Sequence, residues 1–354
     1  MKVRLNKIAS ATRNAKLPRD VTLSATVAAV EGSVVAVRAL DRKQVYNEIE
    51  DIHGRMATVN EGDVIAGVLG ERRALHGYTG TVPTSIKPGD ILHLLNLGGV
   101  IGLCNSANPD VGPPCRAEVL GQVLSFPHLG ERRGVPCSIR TGALPLADIL
   151  PDTDTIPIVY ISGTCMNAGK TYAACEIIRG LSRRGLNVGA AKLTGVSLRR
   201  DTLKMEDVGA RRALSFTDAG IVSTRPETSL PVARGLIRAL NEPQHGVKLD
   251  CLVIELGDGI MGEYGVVEIL RAADLMAPGK AHVLCANDPV GAWGSAEFFR
   301  KDLGLPLTVI SGPTTDNAVG RRFVDSLGVP AVNARTHGDL LAATVARALG
   351  FRDE

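Results

Sequence analysis

The chain has 354 residues, which is enough for two domains that each bury a core of their own. Hydrophobic residues make up 45% and glycines number 39, a composition typical of α/β proteins and unlike that of disordered chains. The formal net charge of +3 does not indicate nucleic-acid binding, and no apolar run reaches the ~18 residues of a membrane helix. We therefore expect neither a nucleic-acid nor a membrane partner.

The N-terminus and the cysteines together predict a cytoplasmic protein. The first nineteen residues contain six basic residues and no acidic one: Lys2, Arg4, Lys7, Arg13, Lys16 and Arg19. This span lacks the amphipathic pattern of a transit peptide and the apolar core of a signal peptide, so we interpret it as an edge strand and a basic surface segment. The chain has 7 cysteines, an odd number with no Cys-x-x-Cys spacing, which favours reduced thiols.

Residues 1–150 are predicted to form a smaller, β-rich domain. Two apolar runs, 21–27 and 34–38, flank the turn-forming residues 31–33 and predict a hairpin. Polar glycine turns at 61–63 and 88–90 each lead into an apolar strand, and a further strand is predicted at 117–123. Many short strands with glycine turns are typical of a small barrel or a sandwich.

Two features of this domain allow a functional interpretation. The glycine-rich stretch 97–102 is either a substrate-binding loop, where the backbone approaches a ligand closely, or an ordinary turn between strands. A zinc site formed by Cys104, Cys115, Cys137 and His128 is the less favoured second possibility, because their spacing matches no zinc pattern.

Residues 143–155 contain prolines and acids and predict a linker, and residues 156–354 then alternate between strands and helices. This alternation predicts an α/β fold, a doubly wound and mostly parallel sheet covered on both faces. The predicted strands are 156–161, 187–193, 250–255, 281–287 and 306–311. The predicted helices after the first are 203–214, 232–240, 266–273, 296–303, 319–327 and 338–349.

The stretch 156–171 has the order that a phosphate-binding loop (P-loop) requires: a buried strand, a glycine-bounded loop and a helix. The backbone amides and the positive end of the helix dipole would bind a polyphosphate. Five residues separate the two glycines, whereas the usual spacing is four. The predicted nucleotide-binding residues are Gly163, Thr164, Asn167, Ala168, Gly169, Lys170 and Thr171, with Lys170 on the outer phosphates and Thr171 on Mg²⁺.

Ligands of a parallel sheet bind beyond the carboxyl ends of its strands. In this chain charged residues lie at or just after the ends of predicted strands. Glu255 ends an apolar strand, where magnesium coordination would offset the cost of burying a carboxylate. Lys192 ends another strand and suits an anionic substrate or a phosphoryl group in transfer, or simply reaches solvent. Either Asp201 or Asp207 could complete the metal shell, and the sequence does not decide between them.

These motifs resemble those of dethiobiotin synthetase and the cobyrinic acid amidotransferase-type enzymes. The loop 163–171 shares their Gly-Thr start and spacing, 191–195 resembles their Lys-Pro segment with Leu193 in place of proline, and 255–259 is similar to their Glu-Gly-x-Gly stretch. The resemblance covers only the second domain. It implies ATP and Mg²⁺ as cofactors, phosphate binding by Lys170 and Thr171, magnesium binding by Glu255, substrate binding by Lys192 and base recognition near Asn287.

The first functional hypothesis is a cytoplasmic, ATP- and Mg²⁺-dependent ligase or kinase that acts on a small anionic metabolite, with Lys170, Lys192 and Glu255 as catalytic residues. We expect such an enzyme to be a homodimer. Two alternatives remain open at this point: a nucleotide-driven switch or maturation factor with a protein partner, and an acyl-coenzyme A-dependent transferase that binds the pyrophosphate in the loop. ATP is preferred to GTP because no Asn-Lys-x-Asp motif is present.

Overall fold

The computed structural model describes residues 1–127, 130, 133–151, 156–243 and 246–351. The chain forms two compact units. The first consists of Met1–Leu144, Val196–Arg200 and Phe216–Ser223, and the second of Pro145–Gly195, Asp201–Ser215 and Thr224–Glu354. The sequence predicted a single boundary between the two domains, and it gave no sign that two later segments join the first unit. Residues 152–155 of the predicted linker lie outside the described part of the chain.

The first unit is built from short strands and two 3-10 helices, Ser10–Ala15 and Pro109–Val111. Its strands are β1 (Lys2–Arg4), β2 (Lys7–Ile8), β3 (Asp20–Ser24), β4 (Val34–Ala39), β5 (Glu48–Glu50), β6 (Met56–Thr58), β7 (Val64–Leu69), β8 (Arg72–Arg73), β9 (Tyr78–Thr81), β10 (Ile91–Leu94), β11 (Val100–Ala107), β12 (Arg116–Ser125) and β13 (Val135–Pro136).

Five of these strands close a ring, in the order β4, β7, β11, β10, β12 and back to β4. The pairing of β7 with β11 is parallel, and the other four pairings are antiparallel. Alternate apolar side chains, among them Val35, Val37, Ile65, Ile101 and Val119, form one buried cluster. The first unit is therefore a small barrel, because closing the ring removes the exposed edges of its sheet.

The hairpin predicted around residues 31–33 is wrong. β3 and β4 do not pair with each other, since β12 lies between them and pairs with both. The connection between β3 and β4 runs from residue 25 to residue 33, longer than the two to five residues that a tight hairpin loop usually has. The turn at Gly32 instead closes the end of that longer connection.

The second unit alternates strands and helices as predicted. Its strands are β14 (Ile158–Gly163), β15 (Val188–Thr194), β16 (Arg212–Ser215), β17 (Cys251–Leu256), β18 (Gly279–Cys285) and β19 (Val309–Ser311). Its helices are α1 (Lys170–Arg183), α2 (Arg200–Asp207), α3 (Pro226–Asn241), α4 (Val266–Arg271), α5 (Ala273–Met276), α6 (Pro289–Phe298), α7 (Ala318–Ser326) and α8 (Gly338–Ala348). A π-helical turn, Phe299–Leu303, extends α6, and a 3-10 turn, Pro313–Thr315, follows β19.

The sheet of the second unit has six strands in the order β16-β15-β17-β14-β18-β19, and every neighbouring pair is parallel. Helix α1 packs on the central strands and against α8, and α3 packs on β15 and β16. Both Val159 and Tyr160 are buried although they point to opposite faces of β14, so both faces of the sheet are covered. The prediction of a doubly wound α/β fold is confirmed.

The predicted helix 203–214 is wrong in its second half. Helix α2 ends at Asp207, and residues 212–215 form the edge strand β16, which pairs in parallel with β15. Gly209 causes the break, since its φ of +112° is left-handed and the amide of Ala210 closes the turn on the Met205 carbonyl at 3.0 Å. Glycine after a periodic run is the usual sign of a helix end, and it was present in the sequence.

Other predicted boundaries shift without changing the element. Predicted helix 266–273 is divided into α4 and α5 at Ala272, and predicted helix 296–303 covers only the end of α6 and the π-helical turn. The last strand begins at Val309 and not at residue 306. Among the helices of the described residues, none combines the length and the apolar character needed to cross a bilayer.

Helices α1 and α8 approach closely at Gly180, and this contact leads to a stability prediction. A Cβ added at Gly180 would lie 2.2 Å from the Ala342 Cβ, whereas a Cβ added at Gly294 in α6 would meet nothing within 4 Å. We expect Gly180→Ala to lower the free energy of unfolding by about 1–3 kcal/mol because it separates the two helices. Gly294→Ala, the matched control, should be neutral or stabilise by up to about 1 kcal/mol through helix propensity.

Urea unfolding followed by circular dichroism measures both substitutions. Equal midpoints for the two variants would contradict the close packing of α1 on α8.

Candidate functional site

The predicted phosphate loop connects β14, a central strand of the parallel sheet, to the N-terminus of α1. Two of its residues have left-handed backbones, Asn167 with φ of 60° and Gly169, the N-cap of α1, with φ of 90°. Glycine and asparagine are the residues that adopt this conformation at least cost. The loop therefore turns back toward the helix axis, and the first amides of α1 are left for a ligand at the carboxyl edge of the sheet.

Lys170 is the first residue of α1, and its side chain lies across the loop. The residue is only 7% exposed. Its ammonium donates to the Cys165 carbonyl at 2.7 Å and to the Asp258 carbonyl. Burial is the main cause that lowers the pKa of Lys170, and the nearby Glu255 carboxylate acts in the opposite direction. The amine is thus held inside the loop by neutral backbone acceptors, which a phosphate oxygen could replace.

Thr171 and Glu255 meet at the base of the loop. The Thr171 hydroxyl donates to Glu255 Oε1 at 3.2 Å, and Glu255 is 2% exposed at the end of β17. The other carboxyl oxygen, Oε2, has no hydrogen-bond partner among the described residues. Burial is the main cause that raises the pKa of Glu255. A buried carboxyl oxygen without a donor is costly unless something else occupies that position.

Lys192 joins this carboxylate from the neighbouring strand. It stands directly opposite Glu255 in the pairing of β15 with β17, and its ammonium lies 3.6 Å from Glu255 Oε1. The same ammonium forms an ion pair with Asp201, which lies in the first turn of α2 and is 8% exposed. Asp207, the other acid that the sequence left open, lies exposed at the far end of α2. The structure thus brings together Lys170, Thr171, Lys192, Asp201 and Glu255.

Asn287 follows β18 and lies against the start of the loop. Its backbone amide donates to the Thr164 hydroxyl at 3.3 Å, and its side-chain amide donates to the Cys165 sulfur at 2.9 Å. The resemblance implied that this residue contacts the base of a nucleotide. In the structure its hydrogen bonds hold the loop, so base recognition by Asn287 stays a prediction.

Two neighbours of the loop were not singled out as site residues. Gly312, with φ of 89°, lies so close that an added Cβ would be 2.4 Å from the Ala168 carbonyl. Asp258 accepts the Lys170 ammonium through its backbone carbonyl. Both come directly after strands of the sheet, so the strand-end rule selected their segments, but backbone contacts leave no side-chain signal in a sequence.

The glycine-rich stretch of the first unit is a tightly packed turn. A Cβ at Gly98 would lie 2.1 Å from the Ser197 carbonyl, and one at Gly99 would lie 2.1 Å from the Ala9 Cβ. The Asn96 side chain donates to the same Ser197 carbonyl at 2.6 Å. This packing leaves no room for a ligand at the two glycines and fits the turn alternative.

The zinc alternative finds no support in the described part of the chain. His128 lies outside the described residues, and those that are described contain no group of three or more metal-ligating side chains. Cys115 and Cys137 are buried in the barrel, in keeping with their use as small core residues.

Cys165 lies in the loop near the N-terminus of α1 and near Lys170, two features that favour a thiolate. Burial is the main cause that raises the pKa of the Cys165 thiol, although Lys170 and the Asn287 hydrogen bond act in the opposite direction. The thiol donates to the Met166 carbonyl at 3.0 Å and is partly exposed. Cys251 and Cys285 are fully buried, and burial raises the pKa of each to about 12.

Accessibility therefore predicts the order of cysteine alkylation. We expect iodoacetamide to label Cys165 faster than Cys251 or Cys285, because of these three only Cys165 is reached by solvent without unfolding. ATP with Mg²⁺ should slow the labelling of Cys165 by covering the loop. Peptide mapping after brief alkylation, with and without nucleotide, measures both effects. Fast labelling that no nucleotide slows would contradict phosphate binding by this loop.

Neither a protein-family model nor a curated protein sequence matches the chain. Solved structures similar to it include the signal recognition particle 54 kDa protein from Aeropyrum pernix K1 in complex with GDP, 18% identical with a TM-score of 0.35 over 57% of this chain. The chain spans about half of that protein, 48% of its length. A DUF1611 family protein from Anabaena variabilis is 15% identical, with a TM-score of 0.39 over 64% of this chain and 68% of that one.

The hydrogenase maturation factor HypB from Archaeoglobus fulgidus is 18% identical, with a TM-score of 0.38 over 55% of this chain and 91% of that one. The phosphate-loop α/β fold rests on the sheet order and the loop geometry described above. The specific resemblance stays a prediction.

Proposed function

We propose that the second unit binds ATP with Mg²⁺ in the loop between β14 and α1 and catalyses transfer of the terminal phosphoryl group. The observation that carries this proposal is Glu255, a buried carboxylate that accepts from Thr171 and keeps one oxygen without a donor. A hydroxyl and a carboxylate placed together at the start of a P-loop helix are the oxygen ligands that Mg²⁺ takes beside nucleotide phosphates.

The residues present fit a magnesium ion. Mg²⁺ keeps several waters and needs only one or two protein oxygens, which Thr171 and Glu255 would supply. Bound there, the ion would neutralise charge on the phosphates of the nucleotide. Asp201 is the second acid within the cluster and forms an ion pair with Lys192. Beside a bound Mg²⁺ it would accept a hydrogen bond from a metal-bound water.

The residues also fit a polyphosphate. Within the described part of the chain, the hydrogen-bond acceptors of the Lys170 ammonium are two backbone carbonyls, which are weaker partners for an ammonium than a phosphate oxygen. The N-terminus of α1, a helix of 14 residues, adds the positive end of its dipole at the same place. Binding a phosphate would therefore replace weak acceptors of Lys170 with strong ones.

The position of Lys192 indicates which kind of reaction the site would catalyse. Its ammonium lies beside Glu255 and is held by Asp201, at a strand end next to the loop. A cation fixed there would stabilise charge on a phosphoryl group in transfer or hold the acid of an acceptor. We therefore propose a ligase or kinase of a small anionic metabolite, active as a homodimer in the cytoplasm.

A screen for substrate-dependent ATP consumption tests this proposal. Purified protein would be mixed with ATP, Mg²⁺ and fractions of a metabolite extract, and the loss of ATP and of the metabolite would be followed by mass spectrometry. Lys170→Ala protein is the matched control for contaminating activity. A fraction that supports consumption by the native protein alone would support the enzyme.

Thermal shift with ATP, GTP and acyl-coenzyme A, each with and without Mg²⁺, separates the alternatives. Stabilisation by ATP·Mg²⁺ supports the proposal. Stabilisation by acyl-coenzyme A alone would contradict it in favour of a transferase. Slow hydrolysis of ATP that no metabolite fraction accelerates would favour a switch that acts on a protein partner.

A further inference from the structure

The loop that follows β17 is buried, although loops usually run over the surface of a protein. Residues 257–260, the strand-end loop, are all buried. Buried backbone amides and carbonyls have to be hydrogen-bonded, because they do not reach water. The groups that contact this loop therefore indicate which parts of the candidate site it holds together.

The second half of the strand-end loop packs on the start of the phosphate loop. The Ile260 amide donates to the Gly163 carbonyl at 2.9 Å. A Cβ added at Gly259 would lie 2.5 Å from the Thr164 carbonyl oxygen and 2.9 Å from the Cys165 Cα. The two backbones are thus in direct contact, and a shift of the strand-end loop would displace the phosphate loop and uncover Cys165.

The first half of the strand-end loop contacts both lysines of the candidate site. A Cβ added at Gly257 would lie 3.1 Å from the Lys192 Cε. The carbonyl of the next residue, Asp258, accepts a hydrogen bond from the Lys170 ammonium. The loop therefore touches Lys192 at one residue, Lys170 at the next and the phosphate loop at the two after that.

Thr194 holds the beginning of this loop. It is the last residue of β15 and fully buried, and its hydroxyl donates to the Gly257 carbonyl. The pairing of β15 with β17 shifts register between Lys192 and Thr194, so that Thr194 lies opposite Leu256, the last residue of β17. Such shifts re-aim side chains near functional sites, and here the hydroxyl reaches the first carbonyl beyond the strand.

We propose that Thr194 is a positioning residue of the candidate site, whose hydroxyl holds the strand-end loop against Lys170 and the phosphate loop. Its effect on nucleotide binding rests on the proposed function, whereas the loop contact itself requires no nucleotide. Thr194 acts only through the backbone of residues 257–259. Loss of the hydroxyl would take this donor from the Gly257 carbonyl in the protein interior, so the loop would have to move toward another donor or water.

Two substitutions separate the hydroxyl of Thr194 from its shape. Thr194→Val keeps the branched side chain and removes the hydroxyl, whereas Thr194→Ser keeps the hydroxyl and removes a methyl group. Thr344→Val is the matched control, since the Thr344 hydroxyl also donates to a backbone carbonyl, that of Leu340 at 2.8 Å, but in α8.

The alkylation rate of Cys165 in nucleotide-free protein reports on the strand-end loop. Because Gly259 packs on Cys165, we expect Thr194→Val to raise the rate of labelling by iodoacetamide several-fold. Thr194→Ser and Thr344→Val should label at the native rate. Cys285, fully buried in β18, is the internal reference and should stay slow. Native labelling of Cys165 in Thr194→Val protein, or a parallel rise at Cys165 and Cys285, would overturn the proposal.

Gly257→Ala is an independent second variant, which decides the outcome if Thr194→Val protein does not fold. The added methyl group would lie 3.1 Å from both the Thr194 carbonyl oxygen and the Lys192 Cε, so it should displace the same loop while the Thr194 hydroxyl is kept. Faster labelling of Cys165 with slow labelling of Cys285 supports the proposal. Native labelling of both cysteines overturns it.

Calorimetry with ATP·Mg²⁺ tests the consequence for the site. We expect Thr194→Val to weaken binding at least ~10-fold, because small displacements of positioning groups have large effects, and Thr194→Ser to restore it. Native affinity in Thr194→Val protein would show that the hydroxyl does not position the site. If the native protein itself does not bind ATP·Mg²⁺, the proposed function fails, and the labelling experiment alone decides whether Thr194 holds the loop.

Discussion

Alanine in place of Lys170 is expected to reduce triphosphate affinity by at least ~10²-fold and to leave the protein folded. Hydrogen bonds to a charged partner contribute about 1.5–3 kcal/mol each, and a P-loop lysine makes such bonds to the outer phosphates. Among the residues that the structure describes, the Lys170 ammonium donates only to the Cys165 and Asp258 carbonyls. Its removal therefore costs the fold two hydrogen bonds to backbone carbonyls that lie outside the strands, and it leaves the parallel sheet intact. Calorimetry with ATP·Mg²⁺ measures the affinity, and circular dichroism checks the fold.

Lys280→Ala is the matched control for that experiment. Lys280 also belongs to the second unit and lies exposed on β18, and its side chain makes no hydrogen bond or ion pair among the described residues. The Lys280→Ala protein should bind ATP as tightly as the native protein does. If the Lys170→Ala protein binds ATP·Mg²⁺ with native affinity, the assignment of the phosphate loop is wrong. If both variants lose the same affinity, the nucleotide is held by general electrostatic attraction and not by a specific site.

The fold of the second unit could be read from local patterns. Each strand is a short apolar run bounded by glycine or polar residues. Parallel strands that are buried on both faces need only such a run, without alternation of polar and apolar residues. The errors occurred where the pattern was short or interrupted. The four residues of β16 have no strand signal of their own, and they pair with β15 because Gly209 ends the preceding helix.

The barrel could be predicted only as a class. Its closure depends on β10 pairing with both β11 and β12, and on β12 lying between β3 and β4. These contacts join residues far apart in sequence, and no local propensity specifies them. The predicted hairpin followed the nearest-neighbour rule, which long-range pairing overrode.

The residues of the candidate site could also be predicted only where a local sequence motif identifies them. Gly169, Lys170 and Thr171 were found because a phosphate loop requires those residue types in that order. The choice of Asp201 over Asp207 needed the ion pair with Lys192, which only the start of α2 brings within reach.

Glutamine in place of Glu255 is expected to lower the turnover rate by about 10²-fold while nucleotide binding changes little. Glutamine has the shape of glutamate, so the Thr171 hydroxyl keeps an acceptor at 3.2 Å, and Lys192 keeps Asp201 as its counter-ion. The fold should therefore persist. What is lost is the negative charge next to the proposed metal, and with it the electrostatic stabilisation that Mg²⁺ brings to a phosphoryl group in transfer.

The dependence of the rate on Mg²⁺ concentration makes this prediction specific. A weaker metal site should require more Mg²⁺ for half-maximal rate in Glu255→Gln protein, whereas a purely structural role would lower the rate without moving that concentration. Asp207→Asn is the control, since it removes an exposed carboxylate from the end of α2 and should change neither quantity. If rate and Mg²⁺ requirement both stay native in Glu255→Gln protein, the charge of Glu255 takes no part in metal binding or in the reaction.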